Sequence, residues 1–167
     1  NTTVTAPATP KTPGAPIPAL DPATGNVAVP AGTPAGSYTI GYQICEKADP
    51  TNCKSAVITV VVAPPAIAAT DDSTAAVNST NGGSNLVNAL TNDTLNAAPA
   101  VIANINLAVV TAASNPGVTL DTATGLVSVA PGTPAGNYTI AYQICEKLNP
   151  TNCALANITV PVSITPI

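Results

Sequence analysis

The sequence lacks the residues on which most catalytic sites depend. It contains no His, Arg, Trp, Phe or Met, and its only aromatic residues are four tyrosines. The usual general bases and nucleophiles are therefore nearly absent, and no Gly-rich phosphate loop or Gly-x-Ser-x-Gly motif occurs. We predict that the chain is not an enzyme, that it has no catalytic residues and that it requires no cofactor.

Charge is also scarce, at 7% of residues, with four lysines and a net charge of −4. The lysines form no basic cluster, which argues against nucleic acid or an anionic membrane surface as a partner. The longest apolar run, residues 56–69, is broken by Thr59 and by two prolines. It is shorter than the roughly 20 residues that a spanning helix needs, so we expect no membrane insertion.

The remaining composition is typical of a secreted protein. Charge is low, Thr and Asn are abundant, and the number of cysteines is even, so we expect an extracellular location at a cell surface. The start, NTTVTAPATPKTPG, has no initiator Met and lacks the charged and apolar parts of a signal peptide. We expect a mature or excised segment.

A long internal repeat is the most informative feature that is present. Residues 20–62 return at 120–162, an offset of 100, with 30 of 43 positions identical. This period is too long for a solenoid unit and fits one small domain per repeat. We predict two domains, residues 1–63 and 64–167, joined near residues 63–65 by a short linker that two prolines stiffen.

Both copies show the period-2 alternation of β-strands. In residues 38–44 large apolar side chains alternate with small or polar ones, and a second apolar strand follows at residues 56–60. No segment shows a convincing helical period, and prolines divide the rest into short strands and loops. The sequence therefore predicts an all-β fold with two tandem Ig-like Greek-key sandwiches of the same topology.

Cys45 and Cys53 are separated by seven residues, as are Cys145 and Cys153. A metal site would favour closer spacing and His ligands, so we predict one hairpin disulfide within each copy. Facing cysteines also fix an antiparallel register. In the two copies this register pairs Tyr42 with Ala56, Ile40 with Ile58, Tyr38 with Val60, Tyr142 with Ala156, Ile140 with Ile158 and Tyr138 with Val160.

Two further groups of side chains are candidates for special roles. Tyr38 and Tyr138 follow Gly-containing turns at the start of a core strand, as in the tyrosine corner of Greek-key sandwiches, where the phenol bonds to an upstream backbone group. Asp71, Asp72 and Asp93 lie near the start of the second copy and are weak candidates for calcium at a domain junction. Their alternative role is that of solvated turn or capping residues.

The first copy lacks any counterpart of residues 66–104, which we call the lead-in segment. A sandwich without these strands exposes a sheet edge and an apolar face. Either the chain belongs to a longer array, or a neighbouring chain completes the first copy by β-strand addition. The Pro-rich start and the apolar tail, residues 163–167, are candidate connecting segments.

Specific strings carry a family resemblance. ATDDSTAAV and NALTNDTLNAAPA, followed by PGTPAGNYTIAYQICEKLNPTNC, resemble the tandem Ig-like, cadherin-like repeats of very large surface proteins and adhesins of Gram-negative bacteria. The resemblance covers one full repeat, about residues 66–162, and the latter part of another, about residues 20–62. One departure is TAPATPKTPGAPIPA, which is longer and richer in Pro than its counterpart TAASNPGVT and leaves the pairing of the first copy's opening strand open.

The resemblance implies a structural role with no catalytic residues. Such repeats form stalks or filaments that hold an adhesive tip away from the cell. We therefore expect a filament or adhesin stalk that self-associates into a homopolymer or continues a longer repeat array. The alternative is an Ig-like surface module that binds a glycan or a protein.

Overall fold

The structure is a computed structural model, and it describes residues 1–164. The chain forms two compact units, Asn1–Pro64 (unit 1) and Pro65–Ile167 (unit 2). Across residues 1–164 every regular element is a β-strand, and none of these residues forms a helix that could span a membrane. The prediction of an all-β fold with two tandem Ig-like sandwiches, the first of them incomplete, is confirmed.

Unit 1 is built around a three-stranded sheet and a small hairpin. Its strands are β1 (Thr2–Ala6), β2 (Ala19–Leu20), β3 (Val27–Ala28), β4 (Gly36–Cys45) and β5 (Cys53–Val62). The sheet order is β1-β4-β5, and β2 pairs with β3 separately. The small core consists of Ala8, Leu20, Tyr38 and Ile40. Within the described residues of unit 1 nothing pairs with the outer side of β5.

Unit 2 repeats this frame and adds five strands. Those five lie in the lead-in segment: β6 (Ile67–Ala68), β7 (Asp72–Ser73), β8 (Val77–Asn78), β9 (Thr94–Leu95) and β10 (Ala98–Pro99). The repeated frame comprises β11 (Ile105–Thr111), β12 (Val118–Leu120), β13 (Val127–Val129), β14 (Gly136–Glu146) and β15 (Cys153–Ser163). β15 is not an edge strand, because β7 and β8 both pair with it in parallel.

The register of the two long hairpins agrees with the prediction. In both units the facing cysteines begin an antiparallel ladder that contains all six predicted pairs. Alternation along the strands places Tyr38, Ile40, Tyr42 and Ile44 on one face of the sheet, which is the core face. A shift of one residue would turn these side chains to the opposite face, so the apolar pattern fixes the register.

The opening strand of unit 1 pairs in the same way as its counterpart, despite the Pro-rich stretch. Ile44 pairs with Thr2, and Ile144 pairs with Leu107; the separations are 44 − 2 = 42 and 144 − 107 = 37 residues. Both ladders contain the same irregularity two residues further on. The five additional residues therefore lie in the loop after β1, and the strand itself is normal.

Candidate interaction surface

In unit 2 the lead-in segment completes the sheet along β15. Asp72 and Ser73 pair with Ile158 and Thr159, and Val77 pairs with Val162. The Thr74 amide donates to the Thr159 carbonyl at 3.0 Å. These bonds satisfy backbone groups of β15 that would otherwise face water or an approaching strand.

The same segment covers the apolar core face of that sheet. Its Ala89, Leu90 and Ala100 pack in one buried cluster with the side chains of β14 and β15. Ile144 and Ile158 are 0% exposed as a result. The core of unit 2 therefore includes buried residues of the lead-in segment, which lies outside the repeated frame.

The lead-in segment also closes the second, smaller sheet. Gly83 pairs with Val129, and the Leu86 amide donates to the Val127 carbonyl at 2.9 Å. The approach is so close that a Cβ on Gly82, whose φ is +62°, would lie 2.4 Å from the Val129 carbonyl oxygen. Glycine is therefore required at this point of the segment.

Tyr142 is the polar centre of the contact between the segment and the sheet. Its side chain is 0% exposed, and its hydroxyl lies 3.0 Å from the Ala89 carbonyl, 3.1 Å from Asp93 Oδ2 and 3.2 Å from Asp72 Oδ2. Burial is the main cause that raises the pKa of both carboxyl groups, and burial followed by the nearby Asp93 charge raises the pKa of Tyr142. The raised pKa of Tyr142 keeps the phenol protonated and able to donate.

The loop between β14 and β15 holds the segment at both of its ends. Lys147 Nζ donates to the Ile102 carbonyl at 2.6 Å, and the Lys147 amide donates to the Asn104 carbonyl at 3.0 Å. Asn152 Nδ2 donates to the carbonyl of Pro65 at 2.9 Å and to the buried Glu146 carboxylate at 3.1 Å. Side-chain donors of the frame thus bind backbone carbonyls of the segment, largely independently of its sequence.

Unit 1 has the same frame without this cover. We define its open surface as the free side of β5 together with the core-face side chains of Tyr42, Ile44, Ala56 and Ile58. Ile44 is 51% exposed, whereas Ile144 is 0% exposed. On the smaller sheet, Val29 is 49% exposed and its counterpart Val129 only 3%. The difference in burial lies where unit 2 carries its lead-in segment.

The polar donors of the frame are also present in unit 1. Tyr42, Lys47 and Asn52 are the counterparts of the three residues that bind the segment in unit 2. Within residues 1–164 the Tyr42 hydroxyl and Lys47 Nζ make no hydrogen bond or ion pair. Asn52 Nδ2 bonds only the exposed Glu46 carboxylate, at 3.0 Å. The open surface therefore combines a free strand, an exposed apolar patch and the unpartnered donors of Tyr42 and Lys47.

The other candidate residues have structural positions in both units. Disulfides join Cys45 to Cys53 and Cys145 to Cys153, each with a Cα–Cα distance of 4.1 Å across the hairpin. The phenol of Tyr38 donates to the Pro34 carbonyl at 2.7 Å, and that of Tyr138 to the Pro134 carbonyl at 2.8 Å. These bonds tie the start of each long strand to the turn that precedes it.

The three candidate calcium ligands are bound by protein donors. Asp71 accepts the Asn157 amide at 2.8 Å, and Asp93 accepts the Thr70 amide at 2.8 Å. The Tyr142 hydroxyl lies where the carboxylates of Asp72 and Asp93 converge. Residues 1–164 contain no group of three or more His, Cys, Asp or Glu side chains that could hold a metal ion. All three carboxylates thus accept hydrogen bonds from protein donors, and their role as calcium ligands stays a prediction.

Sequence reasoning did not identify the pairing of Tyr142 with the two carboxylates. The contact joins residues 49 and 70 positions apart, and no local pattern links them. A usable signal was that Tyr142 lies at a core position while Asp93 follows an apolar stretch, because a buried phenol requires a polar partner.

No protein-family model and no curated protein sequence matches the chain. Solved structures that are similar to it are extracellular cadherin repeats. Domains 3–6 of protocadherin gamma B2 show 15% identity and a TM-score of 0.45, covering 89% of this chain and 38% of that one. Mouse cadherin-23 repeats 22–24 show 12% identity and a TM-score of 0.45, covering 98% and 52%. The chain thus spans between about two fifths and one half of the length of these two structures.

Proposed function

We propose that the chain is a structural segment of an extracellular bacterial stalk or filament that self-associates by completing unit 1 with an added strand. The observation that carries the proposal is the open surface of unit 1. A free strand beside an exposed apolar face favours strand addition, because backbone bonds supply affinity and alternating side chains supply fit. The scarcity of charge and the two disulfide-closed hairpins suit a durable extracellular module.

The tail that the sequence suggested as a connecting segment, residues 163–167, lies partly outside the described residues, which end at 164. Its Ile164 is exposed. The proposal therefore rests on the acceptor surface alone and is stated for residues that the structure describes.

Sedimentation velocity and negative-stain electron microscopy of the purified chain over a range of concentrations test this function. We expect linear oligomers or filaments that resist dilution, because a completed sandwich resembles a domain core. Ile44→Glu should reduce assembly, since it places a charge on the open surface. A chain that stays monomeric at all concentrations would contradict the proposal and favour the alternative of a ligand-binding surface module.

A further inference from the structure

We infer that the partner of the open surface is a polypeptide segment of the lead-in type, supplied in trans: an extended, acidic and apolar segment that carries a carboxylate for Tyr42. This inference rests on the proposed function and specifies its partner. Unit 2 shows what occupies the same surface when it is covered.

The backbone requirement comes from the ladder along β15. There the segment runs parallel to the strand, bonds at Ile158 and Thr159, and bonds again near Val162. β5 has Ile58, Thr59 and Val62 at the equivalent positions, and no strand of residues 1–164 pairs with that side. A partner that ran antiparallel would present its side chains in a different order to the apolar patch.

The apolar requirement comes from the exposed core face. In unit 2 the small side chains of Ala89 and Ala100 and the larger Leu90 belong to the same buried cluster as Ile144 and Ile158. The same two positions in unit 1, Ile44 and Ile58, are both isoleucine. A partner segment with small and medium apolar residues fits this face, and a bulky aromatic segment does not.

The polar requirement comes from the unpartnered donors. Tyr142 donates within a group of carboxylate and carbonyl oxygens, and Tyr42 offers the same hydroxyl without acceptors among residues 1–164. Lys47 and Asn52 offer donors for two backbone carbonyls at the ends of the segment, as Lys147 and Asn152 do. The open surface thus offers the Tyr42 hydroxyl to a carboxylate of the partner, and the Lys47 and Asn52 side chains to two of its backbone carbonyls.

The experiment titrates the isotope-labelled full chain with an unlabelled synthetic peptide that covers residues 65–104. We expect NMR shifts and slower amide exchange along β5, and no comparable change in unit 2, whose own segment is in place. A peptide with Asp72→Asn and Asp93→Asn should bind more weakly, by roughly two- to tenfold, because charge-assisted bonds to the phenol are lost.

Ile44→Glu and Val57→Glu form a matched pair of variants. Both side chains are exposed, but they lie on opposite faces of the same sheet. We expect Ile44→Glu to weaken peptide binding by at least about tenfold and Val57→Glu to leave it within about twofold. Tyr42→Phe should weaken binding by roughly two- to tenfold while unit 1 stays folded.

The outcomes separate this inference from the function on which it rests. Filaments that form equally well with and without about 1 mM peptide, a weak-affinity limit, would overturn the inference and leave the function standing, because a peptide bound to the open surface should block assembly. Binding that tolerates Ile44→Glu but is lost in Val57→Glu would also overturn it, since the peptide would then lie on the wrong face. Peptide binding by a chain that never assembles would support the inference and contradict the function.

Discussion

Units 1 and 2 contain the same long hairpin in the same register, yet their interiors differ. In unit 2 the core-face side chains of β14 and β15 are buried, whereas in unit 1 Ile44 is 51% exposed and Tyr42 is only half-buried. The frame and the disulfide are equal in both units, so neither explains the difference. In this fold the long hairpin therefore sets the register, while burial of its core face accompanies a separate segment, residues 66–104, that unit 1 lacks.

The prediction with the largest expected effect compares two equivalent isoleucines, Ile144 and Ile44, whose burial differs. Ile144→Ala should lower the free energy of unfolding of unit 2 by about 2–5 kcal/mol, because it leaves a cavity in a packed core. Ile44→Ala should change that of unit 1 by less than about 1 kcal/mol, since the side chain is already half in water. Hydrogen exchange in denaturant, resolved on peptides from each unit, measures both. Equal losses in the two units would break the comparison.

Removing the disulfides tests what the units share. Replacing both cysteines of one hairpin by Ser should lower the free energy of unfolding of that unit by about 2–3 kcal/mol, as expected for closing so short a loop. The sequence separation is 8 residues in both hairpins, so we expect equal losses. Thermal unfolding of the two double variants is the measurement. Losses that differ by more than about 1 kcal/mol, the usual uncertainty of such a figure, would show that the lead-in segment also stabilises the hairpin of unit 2.

A matched pair of tyrosine variants isolates the polar centre. Tyr142→Phe should lower the free energy of unfolding of unit 2 by about 1–2 kcal/mol, because buried acceptors lose their donor. Tyr42→Phe should change unit 1 by less than about 0.5 kcal/mol, since surface substitutions without partners are nearly neutral. Hydrogen exchange in denaturant, resolved on peptides from each unit, measures the effect of each variant. A similar loss for both variants would mean that Tyr42 has an acceptor within unit 1.

The smallest expected effect is a difference in pH dependence. Burial raises the pKa of Asp72 and Asp93 above 3.8 in unit 2. The folded state therefore binds these protons more tightly than the unfolded chain does. The contribution of the two groups to the stability of unit 2 is present below pH 3.8 and is lost as pH rises through the raised pKa values. In both units a hydrogen bond from a Thr side chain lowers the pKa of an exposed carboxyl group, Asp21 in unit 1 and Asp121 in unit 2, and Thr51 also lowers the pKa of Asp49 in unit 1. Their contribution is present above pH 3.8 and is lost as pH falls through the lowered values.

We therefore expect the free energy of unfolding of unit 2 to increase as the pH falls from neutral to about 4, because the raised carboxyl pKa values act in this range. Exchange in each unit as a function of pH is the measurement. Asp93→Asn should flatten the dependence in unit 2, although Asp72, with Asp71 beside it, still titrates. An unchanged profile in this variant would show that Asp93 does not titrate in that range.

The sequence predicted those parts of the fold that local patterns encode. Alternating residues around Ile40 and the facing cysteines were sufficient for the register of both hairpins. The parallel pairs of β7 and β8 were not predictable, because each strand is two residues long and pairs with a partner more than 80 positions away. The pairing of β1 was harder to predict, because the Pro-rich loop that follows β1 is longer than the loop that follows β11. The two strands therefore do not have the sequence offset that relates the rest of the two copies. The Tyr142 site was missed because its partners are distant in sequence.

The parallel pairing of the lead-in segment with β15 has a consequence for a chain under tension. β7 lies near the start of unit 2 and β15 at its end, and the two strands run in the same direction. A pull applied to the two ends of the unit therefore slides these strands past each other, so that their hydrogen bonds carry the load together and do not open one after another. The disulfide between Cys145 and Cys153 also prevents the loop that it closes from extending when the chain is pulled. Unit 2 is thus built to resist extension, whereas β5 in unit 1 has no parallel neighbour among residues 1–164 to share the force, and unit 1 should yield first until a partner strand is in place.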